Sequence, residues 1–278
     1  MSIALFTLLI GLGSVAAGVL GALTGLGGGI VIVPMLTVVF HVDLRYAIGA
    51  SLVSVIATSS GAAAAYVREG YTNVRVGMVL EVATTIGALV GAYLTGIVPT
   101  SAIATIFGVV LLLSAYRAGK PHTERVTTEP AHPLADRLRL NSSYPTADGE
   151  RPYSVQNVPA GFGLMTIAGV LSGLLGIGSG ALKVLAMDQA MCLPFKVSTT
   201  TSNFMIGVTA AASAGIYLHR GYIDPGLALP VMLGVLSGAL LGARWLSSAR
   251  TDHLRLLFTG VVVVLGLQML YKGLMGGM

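Results

Sequence analysis

Two short glycine runs are the residues in this chain best placed to do chemistry. Thr24-Gly25-Leu26-Gly27-Gly28-Gly29 and Leu175-Gly176-Ile177-Gly178-Ser179-Gly180 each interrupt an apolar stretch. Each is followed by an apolar segment of only about 12 residues, on the order of 18 Å as a helix. That is too short for a hydrocarbon core of roughly 30 Å, so one end of each segment must lie below the membrane surface. Irregular backbone at such depth is either buried in protein or lines a wet cavity. A break of this kind frees N–H groups at the start of the next half-helix, and these favour an anion. The spacing predicts two anion-attracting helix ends, one per half of the chain, converging on a central cavity. The candidates are Thr24, Gly27, Gly28 and Gly29 in the first turn and Gly178, Ser179 and Gly180 in the second. Close helix packing through small-xxx-small spacing is the competing use of glycine and suits positions 18–25 better. A nucleotide loop is a poor fit, because no strand precedes the glycines and no Lys-Ser/Thr follows Gly29.

A hydroxyl cluster follows each turn. In the second half it reads Lys196-Val-Ser198-Thr199-Thr200-Thr201-Ser202-Asn203, and in the first Arg45-Tyr-Ala-Ile-Gly49-Ala50-Ser51. Such a run can cap helix N–H groups or donate hydrogen bonds to an oxyanion. Ser51, Thr200, Thr201, Ser202 and Asn203 are the candidates for the second role. Ionisable residues inside apolar segments are functional candidates by default. Lys183, three residues past Gly180, could supply positive charge to a bound anion, pair with Asp188, or snorkel. Glu81, in GMVLEVATTIG, is either a proton-coupling carboxylate or an interfacial group. Ser179 and Lys183 stand four apart, but nothing supplies an oxyanion arrangement, so no enzyme is expected. The five histidines are scattered without metal spacing, and no cofactor or metal site is implied. The single cysteine, Cys192, reads as a small buried hydrophobe.

The elements that must carry these groups are long and apolar. Segments run near 3–24, 30–41, 46–67, 76–97 and 101–116, and again near 160–176, 181–193, 197–219, 226–247 and 253–272. GVLGALTGLGGGIVIV begins at Gly18 and GVLSGLLGIGSGALKV at Gly169, 151 residues later (169 − 18 = 151). The same register pairs Arg45 with Lys196, Ser51 with Ser202, Tyr66 with Tyr217, Tyr71 with Tyr222, Gly87 with Gly238 and Phe107 with Phe258. One register held through five segments implies an internal duplication, the common plan of secondary carriers. The reading is a first transmembrane repeat over 1–116, a hydrophilic linker over 117–159, and a second repeat over 160–278. The N-terminal segment lacks the basic n-region of a signal peptide, having no Lys or Arg before Arg45, and reads as an uncleaved first span.

Composition agrees. The chain is 54% hydrophobic and 10% charged, with mean hydropathy +0.84, whereas soluble domains carry about 25% charged residues. The net charge of +5 falls in short loops, as membrane orientation requires, and does not point to nucleic acid. The fold class is an all-α polytopic membrane protein with two homologous repeats, eight to ten membrane segments in all. If all five segments of each half cross, the basic loops gather on one face, the linker is cytoplasmic, and the halves are inverted. If 30–41 and 181–193 re-enter, the halves are parallel. Charge placement favours inversion. Tyr66, Tyr71, Tyr116, Tyr217, Tyr222, Trp245 and Tyr271 sit near segment ends, as interfacial aromatics do.

The stretch from Gly18 to Leu36, with its TGLGGGIVIVPML core, resembles the signature of the TauE/SafE sulfite exporter family. So do its echo at Gly169 and the RYAIGASL and KVSTTTSNF segments that follow the turns. The resemblance covers nearly the whole chain outside the linker. It implies a multi-pass secondary carrier of the bacterial inner membrane that moves sulfite, sulfonates or related organosulfur anions, generally outward, by alternating access. The partners implied are the small sulfur oxyanion and the lipid bilayer. Oligomeric state is left open, a homodimer among the options. An anion channel and a non-transporting membrane receptor or assembly protein are the alternatives. Three features depart from the family pattern: Glu81 in an apolar span, Gly49-Ala50-Ser51 where Gly-Thr-Ser is common, and Ser179 in place of a third glycine.

Overall fold

The computed structural model describes residues 3–24, 28–68, 70–118, 132–146, 149–178, 180–246 and 251–275, with the backbone alone described at 3, 22–24, 60–68, 117–118, 181, 242–246 and 251–258. Helix dominates. The first half contains α1 (Ile3–Thr24), α2 (Gly29–Pro34), α3 (Leu44–Arg68), α4 (Val74–Leu94) and α5 (Thr100–Ala118). The second contains α7 (Val158–Leu175), α8 (Gly180–Leu185), α9 (Phe195–His219), α10 (Pro225–Leu246) and α11 (Thr251–Leu274). Leu44 and Phe195, which open α3 and α9, stand 151 apart (195 − 44 = 151), and Gly29 and Gly180, Val74 and Pro225, and Thr100 and Thr251 keep the same spacing.

The short segments after the glycine turns are the irregular part. α2 and α8 each last six residues and then widen into a π-helical turn, Met35–Val39 and Ala186–Ala190. Pro34, just before the first widening, lacks the N–H that an α-helical bond needs. Its counterpart Leu185 has that N–H, so proline is not the general cause. Both segments end in residues with left-handed backbone, His41 at φ 56° and Cys192 at φ 56°. This conformation is uncommon for any residue but glycine. The chain reverses there into α3 and α9.

Every long helix of one half packs on a helix of the other. α1 lies against α10, α4 against α7, α3 against α9, and α5 against α11. The α4–α7 and α1–α10 contacts are backbone to backbone. A Cβ at Gly91 would overlap the carbonyl of Val170, one at Gly173 that of Ala88, and one at Gly18 that of Val235. Glycine at these positions lets the helices approach closely, as in other membrane helix pairs. Gly18 therefore serves packing. α3 runs antiparallel to α9. Gly49, near the start of α3, packs on the backbone of Tyr222, just past the end of α9. At the opposite end Thr201, near the start of α9, accepts a hydrogen bond from Asn73 N, past the end of α3, at 3.0 Å.

Large apolar side chains line the outside. Met78, Val82, Ile86, Leu89 and Tyr93 form an exposed stripe on α4, and Leu229, Leu233 and Leu240 one on α10. Their spacing of three, four or seven residues presents one helix face to lipid. By length and apolarity three helices among the described residues can cross a membrane outright: Ala4–Gly21, Val74–Leu94 and Val158–Leu175. Shorter apolar helices accompany them.

The hydrophilic stretch between the halves carries structure of its own. A one-turn helix, α6 (Pro133–Arg137), precedes a β-hairpin of β1 (Ser142–Thr146) and β2 (Gly149–Tyr153), in which Tyr144 pairs with Arg151. Tyr144 and Tyr153 are buried with Leu140 and Val155 against the start of α4. Asn73, which caps α4 through its side-chain oxygen, donates from Nδ2 to Leu140 O and Tyr153 Oη, both at 2.8 Å. Burial pushes the Tyr153 hydroxyl above the usual tyrosine range, and the Asn73 hydrogen bond opposes that shift.

Tyr217 corrects one expectation. It is no interfacial aromatic: its side chain is 1% exposed. Its hydroxyl lies 2.8 Å from Thr95 Oγ1 and donates to Gly173 O at 3.1 Å. The polar tip is satisfied inside the bundle, so burial is tolerated. Tyr116 and Tyr271 do lie exposed near helix ends. The side chains of Tyr66 and Trp245 fall outside the described residues.

Candidate functional site

The second glycine turn shows why glycine is needed. Gly176 caps α7 at φ 66°, and Gly178 follows at φ 67°, a region that costs a residue with a Cβ. In the first turn Gly28 is right-handed, at φ −65°, and its carbonyl accepts from Val31 N and Ile32 N, both at 3.1 Å. Gly27 and Ser179 lie outside the described residues, as does the side chain of Thr24, the last residue of α1.

The two turns meet. A Cβ on Gly29 would press on Ser51 Oγ, Val55 and Gly176 O, and one on Gly178 would press on Ile206 and the same Val55. Ser51, fully buried on α3, donates to Gly176 O across the halves at 2.8 Å. Ser202, its counterpart on α9, donates to Gly180 O at 3.2 Å. Gly28, Gly29, Gly178, Gly180, Ser51 and Ser202 are thus drawn to one region.

The rest of the hydroxyl run has other work. Thr200 donates to Lys196 O at 3.0 Å, and Thr199 to Phe195 O at 2.9 Å, bonds within α9 itself. Thr201 faces the start of α4, where its oxygen receives Asn73 N and its methyl approaches Gly77. Asn203 is half-buried on the same helix. Apart from Thr201 holding Asn73 N, these hydroxyls act as donors to carbonyls and do not cap N–H groups.

Lys183 and Glu81 form the polar centre beside the second turn. Lys183 lies one turn into α8 and is 0% exposed. Its Nζ donates to Thr209 Oγ1 at 2.5 Å, and Thr209 Oγ1 donates to Glu81 Oε1 at 2.7 Å. Glu81 also receives Thr85 Oγ1 at 3.2 Å, while its Oε2 is buried with no hydrogen-bond partner. Three elements converge to build this centre: α4 from the first half, α8 and α9 from the second. Ser202 and Thr209 are seven residues apart, two turns along one face of α9, so the centre is stacked beside the turn. Thr209 is the residue that sequence reasoning missed. A lone threonine in an apolar helix carries no pattern, and only its position facing both charges reveals it.

The centre is one-sided. Positions 151 earlier or later hold Ile32 for Lys183, Met232 for Glu81 and Thr58 for Thr209. Thr58 Oγ1 simply donates within its own helix, to Ser54 O at 3.0 Å. No group of three His, Cys, Asp or Glu side chains suited to a metal occurs among the described residues.

A second pair of contacts crosses between the halves in reciprocal fashion. Lys196 Nζ sits 3.6 Å over the ring of Tyr71, and the guanidinium of Arg45 sits 5.7 Å over the ring of Tyr222. In each case a basic residue opening one half's helix covers a tyrosine of the other half, an attractive cation–π arrangement.

Comparison with known proteins agrees with this architecture. A sequence profile described as Sulfite exporter TauE/SafE matches residues 10–269. The chain is 29% identical to the probable membrane transporter protein YunE of Bacillus subtilis (strain 168) over 278 residues, covering 97% of this chain and 98% of that one. It is 26% identical over 229 residues to the probable membrane transporter protein YdhB of the same organism, covering 82% and 85%. A probable membrane transporter protein of Xylella fastidiosa (strain 9a5c) is 24% identical over 280 residues, covering 98% and 97%. No solved structure matches the chain. With its profile matched almost end to end and its apolar helices enclosing a buried polar centre, this multi-pass membrane protein belongs to the TauE/SafE sulfite exporter family.

Proposed function

We propose that the chain is a secondary transporter of sulfur-containing oxyanions, sulfite or sulfonates, working by alternating access and generally outward. The observation that carries this reading is Lys183: a fully buried cation, one turn past a glycine break, in a bundle otherwise built for lipid. A buried ammonium is costly without an anionic partner; here its only side-chain hydrogen bond among the described residues is to the Thr209 hydroxyl, and its counter-charge, Glu81, is held at one remove, so an oxyanion could take its place. The family's description names sulfite export, and the relatives are described as probable membrane transporters.

In this proposal the site lies between the glycine turns. Gly27, Gly28, Gly29, Gly178, Ser179 and Gly180 supply backbone N–H groups, Lys183 supplies charge, and Ser51, Thr24, Ser202 and Asn203 supply side-chain hydrogen bonds; Thr200 and Thr201 would join them only by leaving their present partners, Lys196 O and Asn73 N. The bond from Ser51 to Gly176 O holds the turns together in the present arrangement. Rocking of one half against the other would break it and free that hydroxyl for the ligand. The halves are read as inverted repeats with the N-terminus outside and the 117–159 linker cytoplasmic. Antiparallel packing of α3 on α9 supports inversion, since these occupy equivalent places in the two halves.

Binding tests the reading first. A ligand that binds the folded state raises its melting temperature by mass action. Purified protein in detergent is melted with sulfite, taurine, sulfoacetate, sulfolactate, sulfate and thiosulfate. The expected result is stabilisation by a subset of the sulfur oxyanions, lost in Lys183→Met. Equal response to every anion, or none, contradicts the proposed site.

A further inference from the structure

Resting on the anion site proposed above, we infer that Glu81, Thr209 and Lys183 are a proton-coupling centre: the arriving anion takes Lys183 from Glu81, and the released carboxylate takes up a proton.

The hydrogen bonds give the centre a direction. Thr209 has one hydroxyl proton. It accepts from Lys183 Nζ at 2.5 Å and points its own proton at Glu81 Oε1 at 2.7 Å. Its alternative acceptor, Met205 O, is farther, at 3.1 Å. Glu81 therefore stands in for an external anion, holding the lysine charge through one hydroxyl. With the ammonium and the carboxylate both ionised, the centre is neutral, the condition under which buried charges are tolerated. If an oxyanion binds Lys183, the carboxylate loses its counter-charge inside a membrane helix, where an uncompensated charge is expensive. One proton restores neutrality. The oxygen that receives it is Oε2, which is buried and makes no hydrogen bond, while Oε1 is occupied by Thr209 and Thr85. For a monovalent anion both end states, lysine with glutamate and lysine with anion plus glutamic acid, carry no net charge, so both can pass through the same conformational change.

Among the described residues, the surrounding elements offer no rival proton carrier. α7, packed on α4, has no ionisable residue. α9 carries Lys196 in its first turn, held over Tyr71, and His219 at its far end. Arg75 is at the start of α4, where it donates to Arg139 O. α8 has only Lys183, and Asp188 belongs to the π-helical turn beyond it. The equivalent positions Ile32, Thr58 and Met232 cannot carry a second proton, so coupling is confined to one side of the repeat.

The test is proton uptake on anion binding. Full-length protein in weakly buffered detergent is titrated with ethanesulfonate and methanesulfonate, monoanions whose own groups do not titrate between pH 6 and 8.5, and with sulfite after correction for its own protons. The expected result is uptake of about one proton per anion bound, with affinity falling towards tenfold per pH unit at the alkaline end. In Glu81→Gln, bound anion brings no proton and affinity is flat with pH. Thr209→Ser keeps the coupling, and Thr209→Val uncouples uptake from binding. Wild-type protein that binds anion with no proton uptake overturns the inference while leaving the anion site intact. Uptake that persists in Glu81→Gln overturns it also, by placing the proton elsewhere. Absence of binding by all three anions in wild-type protein removes the anion site and the coupling together.

Discussion

Lys183 and Glu81 come from opposite halves of the chain and are joined through one hydroxyl, that of Thr209, at 2.5 Å and 2.7 Å. Neither charge has an equivalent at the corresponding position of the other half. Removing one partner strands the other as a buried charge, a loss of about 3–5 kcal/mol for such pairs. Lys183→Met and Glu81→Gln should therefore each lower the melting temperature sharply in the absence of anion. The double substitution should recover most of that loss. Melting curves of the four proteins form a double-mutant cycle, and additive losses would mean that the two charges are not coupled.

Glycine packing makes a second prediction. A Cβ at Gly91 would overlap Val170 O, whereas one at Gly163, on the exposed side of α7, would meet nothing within 4 Å. Gly91→Ala should force α4 from α7 and reduce the yield of monodisperse protein. Gly163→Ala should be neutral or stabilising by up to about 1 kcal/mol, since alanine favours helix. Size-exclusion profiles and thermal melts of the pair distinguish packing from mere loss of backbone freedom.

Ser51 ties the two turns together. In Ser51→Ala the buried carbonyl of Gly176 loses its side-chain donor, at a cost of about 1–3 kcal/mol for an orphaned buried group. The variant should melt earlier than wild type and exchange amide protons faster across residues 174–180 in hydrogen-exchange mass spectrometry. Unchanged exchange there would show that the contact does not hold the turn.

The proposed inversion of the halves predicts sidedness. Arg75 and Gly226 are equivalent positions, 151 apart (226 − 75 = 151), and both are exposed. In a Cys192→Gly background, which suits the positive φ at that position, cysteine is introduced at each. A membrane-impermeant maleimide applied to intact cells should label Gly226→Cys and reach Arg75→Cys only after permeabilisation. Labelling of both from one side would favour parallel halves.

Much of the scaffold was legible in the sequence because its causes are local. Long apolar runs set the helices, and the glycine turns set the ends of α1 and α7 and the starts of α2 and α8 within a residue or two. The partners of polar groups were not legible. The run from Ser198 to Ser202 looks uniform in sequence, yet helix geometry turns each side chain a different way. Ser202 reaches Gly180, Thr201 reaches Asn73, and Thr200 bonds back into its own helix. Tyr217 near a helix end resembles an interfacial aromatic until the approach of α4 and α7 encloses it. Thr209 gains its meaning from Glu81, 128 residues away, a relation that no local pattern encodes. The hairpin at 142–153 was hidden for a related reason: its strands are short and polar, and its buried tyrosines pack against α4 instead of building a core of their own.

Transport of a sulfur oxyanion is the central claim, and counterflow tests it most directly. Proteoliposomes are preloaded with unlabelled sulfite or sulfonate, and entry of the labelled anion is followed over time. The account predicts saturable entry that depends on internal substrate and is abolished in Lys183→Met. Entry of no sulfur oxyanion by monodisperse, thermally stable protein would contradict it, as would electrical conductance without saturation or counterflow.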